Sequence, residues 1–266
     1  MVLFRNILLP QKVDLMVDNM YENRISEFEE SMADILSALA HHVHPSIVER
    51  IQIRNEEERP LFESLFEGKI PISGYLFSGS ACVFPGVRRY VSGKGVKRRY
   101  NRSFSAIIDD NVFPRHLWCY MAGGLAYSGP SWKKLELSSF ELAHVFSHKE
   151  TELSFEERFF DSFDSSMLPY GDFTCACNII LLPKGTVRPT DNSEALKAIF
   201  YKRYIDLYGE SPLQGRSGFE HQLVPSWYKK LRWNEPILPA DWKVKTDKLL
   251  SYRTRKIERA IERDEV

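Results

Sequence analysis

Phe140-Glu141-Leu142-Ala143-His144-Val145-Phe146 and, further on, Cys177-Asn178-Ile179-Ile180-Leu181-Leu182-Pro183-Lys184 decide how this chain reads. Residues 134–146 have strand-like character, and the run from Asn178 to Leu182 is a short, strongly apolar strand closed by Pro183. After a loop over 184–191, Leu196, Ile199, Phe200, Tyr204 and Leu207 recur at helical spacing across 193–208, with Asp191 or Asn192 as the expected cap. The order is therefore strand with histidine, long insertion, strand with asparagine, helix. A histidine on a β-ribbon can take a proton from water, an asparagine on the partner strand can hold the histidine's loop, and a helix behind them can complete a cation site.

Toward the N-terminus, Ile25, Phe28, Met32, Ile35, Leu36, Leu39 and Val43 recur at three- and four-residue spacing, with Glu27, Glu29, Glu30 and Asp34 opposite them. This predicts an amphipathic helix that buries the apolar line and ends before Pro45. A second helical stretch over 46–66 is broken by Pro60. His41, His42 and His44 fall where the first helix frays and read as surface or capping histidines, since His41 and His42 point in different directions on a helix. From 70 to 129, short apolar and aromatic runs punctuated by Gly and Pro predict strands and loops. Beyond Tyr208, Gly and Pro break any long element, but Trp227, Tyr228, Trp233 and Trp242 carry apolar area worth burying. Residues 243–263 read as a charged terminal helix.

A chain of 266 residues, 43% apolar and 27% charged, has the balance of a folded protein rather than a disordered one. No stretch has the apolar length of a membrane span, and the start lacks a basic leader and a small-residue cleavage site, so a cytoplasmic protein without a membrane partner is expected. Cys82, Cys119, Cys175 and Cys177 form no paired Cys-x-x-Cys knuckles and read as four buried thiols. Formal net charge is zero, so attraction to nucleic acid has to be local.

One segment supplies it. Arg88-Arg89-Tyr90-Val91-Ser92-Gly93-Lys94-Gly95-Val96-Lys97-Arg98-Arg99-Tyr100-Asn101-Arg102 contains no acidic residue. Two strands joined at the glycines would make a cationic ribbon whose Arg88, Arg89, Lys94, Lys97, Arg98, Arg99 and Arg102 follow a phosphate backbone while Tyr90 and Tyr100 stack on sugar or base. The alternative is a solvated basic loop.

The two motifs quoted first resemble the HNH, or ββα-metal, nuclease superfamily over residues 140–208. They also resemble a group of bacterial proteins in which an Ala-His-(Val/Ile)-Phe motif precedes a Cys-Asn segment ending in Pro-Lys and an aromatic-rich helix. The resemblance implies that His144 is the general base that activates water, that Asn178 positions the histidine loop, and that a divalent metal of the Mg²⁺ type stabilises the transition state. Many family members carry Asp immediately before the histidine as a metal ligand, where this chain has Ala143. Glu141 cannot stand in for it directly, because two residues along a strand move a side chain by about 7 Å. The last family position falls at Asn192, and His148, Glu150 and His221 are candidate replacement ligands.

The expected architecture is accordingly α+β. A helical region occupies 1–69. A nuclease-like α+β domain occupies 70–266, with a basic ribbon (88–102), a ββα-like core (134–208), a C-terminal wrap and a helical tail. The expected activity is metal-dependent endonucleolytic cleavage of DNA, in restriction or phage defence, with a homodimer as a possible assembly. The competing reading is a non-catalytic nucleic-acid- or partner-binding protein with a degenerate HNH-like core. Taken separately, His144 also reads as a half-buried histidine bonded to backbone and Asn178 as a strand-end asparagine. Nucleophilic hydrolysis has little behind it: Ser131, Ser138 and Ser139 lack a Gly-x-Ser-x-Gly setting, and Cys119 and His116 are neighbours only in sequence.

Overall fold

The computed structural model describes residues 11–65, 79–83, 112–146, 150–164, 174–210 and 214–262. The basic ribbon at 88–102, with Arg88, Arg89, Lys94, Lys97, Arg98, Arg99 and Arg102, lies outside the described residues, as does His148. What is described is a mixed α and β fold, rich in helix, with two small antiparallel sheets.

Helix α1 (Gln11–Leu39) ends before Pro45, as the sequence predicts. Of its predicted apolar line, Leu36 and, past the helix end, Val43 are buried and Met32 packs against the core, while Ile25, Phe28, Ile35 and Leu39 are exposed. Ala33 and Ser37, with Ala40 just beyond the helix, are buried as well, and small side chains there suit close packing on residues 179–183 and 194–208. Helix α2 (Pro45–Glu57) begins with proline, whose fixed φ suits the first helical position. His44 caps it, its Nδ1 accepting the Ser46 N–H at 3.1 Å. Helix α3 (Arg59–Leu65) follows after a break at Glu58, with Pro60 in its first turn.

Residues 112–129 do not form the strands expected of them. Val112–Gly123 is helix α4, with Pro114 tolerated in the first turn and Leu117, Trp118 and Met121 buried. Gly124 ends it at φ +64°, the left-handed geometry that glycine adopts without strain, and its N–H donates to the Tyr120 carbonyl at 2.8 Å. A short helix α5 (Gly129–Lys134) leads to a turn at Leu137–Ser139 and strand β1 (Phe140–His144). Helix α6 (Glu150–Glu157) and strand β2 (Phe160–Phe163) sit inside what the sequence showed only as an insertion.

Strand β3 (Ile179–Pro183) pairs antiparallel with β1, placing His144 opposite Ile179 and Phe140 opposite Pro183. Its other edge is bridged by His41, which exchanges two backbone hydrogen bonds with Leu181 at 2.9 and 3.1 Å. Ile179, Ile180, Leu181 and Leu182 are all buried, which is why the strand reads as a continuous apolar run rather than an alternation. Helix α7 (Val187–Asn192) precedes helix α8 (Glu194–Tyr208). The α8 cap is Ser193, whose Oγ accepts the Leu196 N–H at 3.0 Å, in place of the expected Asp191 or Asn192. Strand β4 (Arg216–Phe219) lies within the expected wrap and pairs with β2.

Helix α9 (Trp242–Glu262) falls where a charged tail was predicted, but it is no appendage. Thr246, Leu249, Leu250, Arg253 and Ile257 are buried against α2, α3 and α4. The buried hydrophobic residues of α1, α2, α4, α8, α9 and the β1–β3 ribbon form a single cluster. No helix among the described residues is long and apolar enough to cross a membrane.

Candidate functional site

His144 is the last residue of β1, and the chain leaves it toward a bend rather than continuing the ladder. Asn178 sits one residue before β3, at the end of a turn closed by its own N–H donating to the Cys175 carbonyl at 2.9 Å. Three hydrogen bonds connect the two positions. Val145 N–H donates to the Asn178 backbone carbonyl at 2.9 Å. Phe146 N–H donates to Asn178 Oδ1 at 2.7 Å, and Asn178 Nδ2 donates back to the Phe146 carbonyl at 3.4 Å. The asparagine side chain thus does for residue 146 what a partner strand would do, and it is fully buried while doing so.

The clamped loop rests on α8. The Phe146 ring stacks on Tyr201 with centroids 4.8 Å apart, and meets Tyr204 edge-on at 4.9 Å. Tyr204 also donates its hydroxyl proton to Cys177 Sγ at 3.2 Å, so one helix side chain touches both ends of the clamp. On the other side, the Arg216 guanidinium lies over the Phe146 ring at 4.9 Å and is paired with Glu156, both buried, at 2.8 Å. His144 itself is half-buried. The His144 backbone is held on one side by the β1–β3 ladder and on the other by the Asn178 bonds to residues 145 and 146.

The sequence-predicted residues separate into three groups. His144 and Asn178 are brought together, on a ribbon packed against α8. Asn192 is the exposed last residue of α7, between β3 and α8. Among the replacement candidates, His221 is exposed in the turn after β4 with its ring edge-on to Phe219 at 5.1 Å, and Glu150 opens α6. Ala143, where the resemblance expects a carboxylate, is buried, and Glu141 on the same strand face is half-buried. Among the described residues no three His, Cys, Asp or Glu side chains converge as a metal site would require.

The neighbouring histidines have other duties. His41 hydrogen-bonds Asn234 through Nδ1 at 3.0 Å, tilts against Phe140, and is held below its ordinary pKa by burial. His42 is fully buried against Phe200 and Trp233, not at the surface, and burial followed by the nearby Arg203 charge pushes its pKa down to about 3. The three histidines therefore diverge, but in extended, bridged backbone past the end of α1 at Leu39 and not on a fraying helix.

The nucleophile candidates are occupied structurally. Ser131 and Ser128 form a reciprocal capping box at the start of α5. His116 Nδ1 accepts the Tyr127 N–H at 2.8 Å, and burial lowers its pKa to about 4. Burial pushes the Cys119 thiol up to about 11, the wrong direction for a nucleophile.

Sequence reading missed the Glu156–Arg216 pair. Glu156 belongs to a glutamate-rich stretch that looks solvated, and Arg216 to a glycine-rich one, so neither carried a signal. No family model, no curated protein and no solved structure matches this chain.

Proposed function

We propose that the protein is an HNH-like phosphodiester hydrolase acting on DNA, with His144 as the base and Asn178 as its positioning residue. The observation that carries this reading is the clamp of Asn178 on residues 145 and 146, which fixes the chain immediately after His144. In this reading the His144 ring takes a proton from the attacking water, and Asn178 keeps the ring at one height above the ribbon by holding the loop that follows it. Phe146, wedged on Tyr201 and Tyr204, keeps that loop dry on its inner side. The cationic segment at 88–102 supplies phosphate contacts and with them affinity. A Mg²⁺-type cation, implied by the resemblance, would stabilise the charge that develops on phosphorus oxygens. The described residues do not make up its ligand set, so the roles assigned to this chain are proton transfer and positioning alone.

The test is nicking of supercoiled plasmid by the purified protein with Mg²⁺ or Mn²⁺, with EDTA and His144→Ala as controls. Metal-dependent nicking that is lost in the variant is the expected result. The buried Ala143, at the place where a carboxylate ligand is expected, favours one second reading: a nucleic-acid-binding relative with a degenerate site. That reading predicts salt-sensitive DNA binding with no cleavage.

A further inference from the structure

Residues 79–83 and 174–178 meet in a short antiparallel bridge whose centre places Cys82 opposite Cys175. The backbone bonds flank this pair instead of joining it: Val83 N–H donates to the Thr174 carbonyl at 2.8 Å and Ala176 N–H to the Ala81 carbonyl at 2.9 Å. Opposed residues of that kind have Cα atoms about 4.5 Å apart with both side chains on one face. That separation falls inside the roughly 4.4–6.8 Å that a disulfide spans. Both cysteines are buried thiols, and neither is in a disulfide.

Each thiol already reaches across the bridge. Cys82 Sγ lies 2.9 Å from Thr174 Oγ1, and Cys175 Sγ lies 3.7 Å from Ser80 Oγ. The Arg253 guanidinium donates to the Cys82 and Val83 carbonyls, both at 3.3 Å, and so holds the backbone of the bridge from the α9 side. Cys177 and Cys119 have no such setting: the first accepts the Tyr204 hydroxyl, and the second is in α4.

We propose that Cys82 and Cys175 form a redox site, converted by a hydroperoxide to a cross-strand disulfide and returned by small thiols. One thiol sulfur attacks an oxygen of hydrogen peroxide; the O–O bond breaks, and the departing hydroxide takes the thiol proton, leaving a sulfenic acid and one water. The second thiol sulfur attacks the sulfenic sulfur; the S–S bond forms, the S–O bond breaks, and the departing hydroxide takes the second thiol proton and leaves as water. The pair gives up two electrons and two protons, and hydrogen peroxide takes both to become two waters. In the return step two small thiols become one small disulfide. Because both sulfurs are buried, oxidation proceeds through local opening of a bridge held by two backbone bonds.

The link joins two parts of the molecule. Asn55 of α2 donates to the Ser80 and Cys82 carbonyls at 2.8 and 3.0 Å, so residues 79–83 belong to the helical layer. Cys175 opens the turn that ends at Asn178, so its partner segment belongs to the candidate site. The site stands independently of the nuclease reading.

The experiment is peroxide treatment of the reduced full-length protein under native conditions, followed by alkylation of remaining thiols and non-reducing peptide mapping. The expected result is an intact mass lower by two hydrogens, a linked Cys82–Cys175 peptide pair, and reversal by dithiothreitol. Cys82→Ser and Cys175→Ser should each abolish the link, and Cys177→Ser should keep it. A Cys175–Cys177 or intermolecular link, oxygen added to cysteines without a link, or a link formed only in urea would overturn the proposal. Since a serine at a buried cysteine can disturb folding, the wild-type map decides the matter alone.

Discussion

Two buried ion pairs among the described residues are built on opposite plans. Arg253 of α9 donates to Glu58 at 2.6 Å, to Asn55 Oδ1 at 2.5 Å, and to two carbonyls of residues 82 and 83. Glu58 in turn accepts from Thr254 at 2.6 Å and Arg54 at 2.8 Å. This is a polar hub that ties α2, α9 and the 79–83 segment together. Arg216 instead donates through Nε and a terminal nitrogen to a single Glu156 oxygen, at 2.9 and 2.8 Å, and lays its plane on Phe146 and Phe163. The first pair organises helices by hydrogen bonding. The second supports an aromatic ring, and that ring belongs to the residue Asn178 clamps. A buried ion pair contributes little net stability over a well-packed apolar substitute, but removing one partner strands a charge. The two pairs should therefore fail with different consequences.

The largest effects are expected at the two arginines. Arg253→Met takes from Glu58 its buried cation, leaving it Arg54 and Thr254, and leaves the Asn55 amide oxygen without the Arg253 donor, a loss of about 3 kcal/mol in urea unfolding. Any DNA cleavage per folded molecule should be unchanged, because the hub reaches the lead-in to β3 indirectly, through the backbone of residues 82 and 83 and their bridge to 174–176. Arg216→Met should also cost about 3 kcal/mol, although the methionine still covers the Phe146 ring. Here cleavage per folded molecule should fall as well. If Arg253→Met lowers the cleavage rate, or Arg216→Met leaves it intact, the division between scaffold and site is wrong.

Next comes Asn178→Ala, which removes the acceptor of a buried Phe146 N–H and should cost about 1–3 kcal/mol. Its diagnostic feature is a split: ribbon pairing persists by the Val145 bond, but hydrogen exchange at Phe146 N–H accelerates. Unchanged protection of that amide would remove the clamp from the account of the site.

Acid should act on the buried histidines. His42 and His116 have folded pKa values lowered from 6.5 to about 3 and about 4. The unfolded chain therefore takes up the proton first. Stability from these groups is full above pH 6.5 and is lost as pH falls, down to about 3 for His42 and about 4 for His116. The slope is at most about 1.4 kcal/mol per pH unit for each histidine. Urea midpoints compared between pH 7 and pH 5 read this window before most carboxylates titrate. His42→Phe should flatten the dependence, and an equal slope in that variant would show that His42 is not its source.

The same contrast explains what the sequence could convey. The ribbon was legible because β3 is apolar on both faces and short, His144 and Asn178 flank it in the order a clamp requires, and α8 has its own periodicity. The break before Pro60 follows from proline, whereas α1 stops at Leu39 and residues 41 and 43 turn to extended bridges with Leu181 and Ile237 before Pro45 opens α2. Reading failed where tertiary packing overrode local pattern. Val112–Gly123 is aromatic enough to resemble strands, yet its side chains fill the space between α9 and the core as a helix. In α1 only part of the predicted line reached the core: Leu36 is buried, while Ile25, Phe28, Ile35 and Leu39 are exposed and Ala33 is buried in their stead. Arg253 disguised α9 as a solvated tail, since a buried arginine in a helix stripe looks like a surface charge until Glu58, nearly two hundred residues earlier, is placed beside it. Glu156 and Arg216 were invisible for the same reason.

The smallest effect separates capping from tethering at the start of α8. Ser193 Oγ accepts the Leu196 N–H at 3.0 Å and donates its own proton to Glu29 Oε1 at 2.6 Å, which joins α8 to α1. Ser193→Ala removes both bonds and should cost about 1 kcal/mol, the usual value of an N-cap. Glu29→Gln keeps the cap and exchanges the charged acceptor for a neutral one, so it should cost only a few tenths of a kcal/mol, within the range of a part-exposed surface change. Urea midpoints of the two variants make the comparison. Should Glu29→Gln match Ser193→Ala, the serine's main work is to hold α1 on the body, and the exposed apolar line of that helix would owe its position to this one contact rather than to the alanines beneath it.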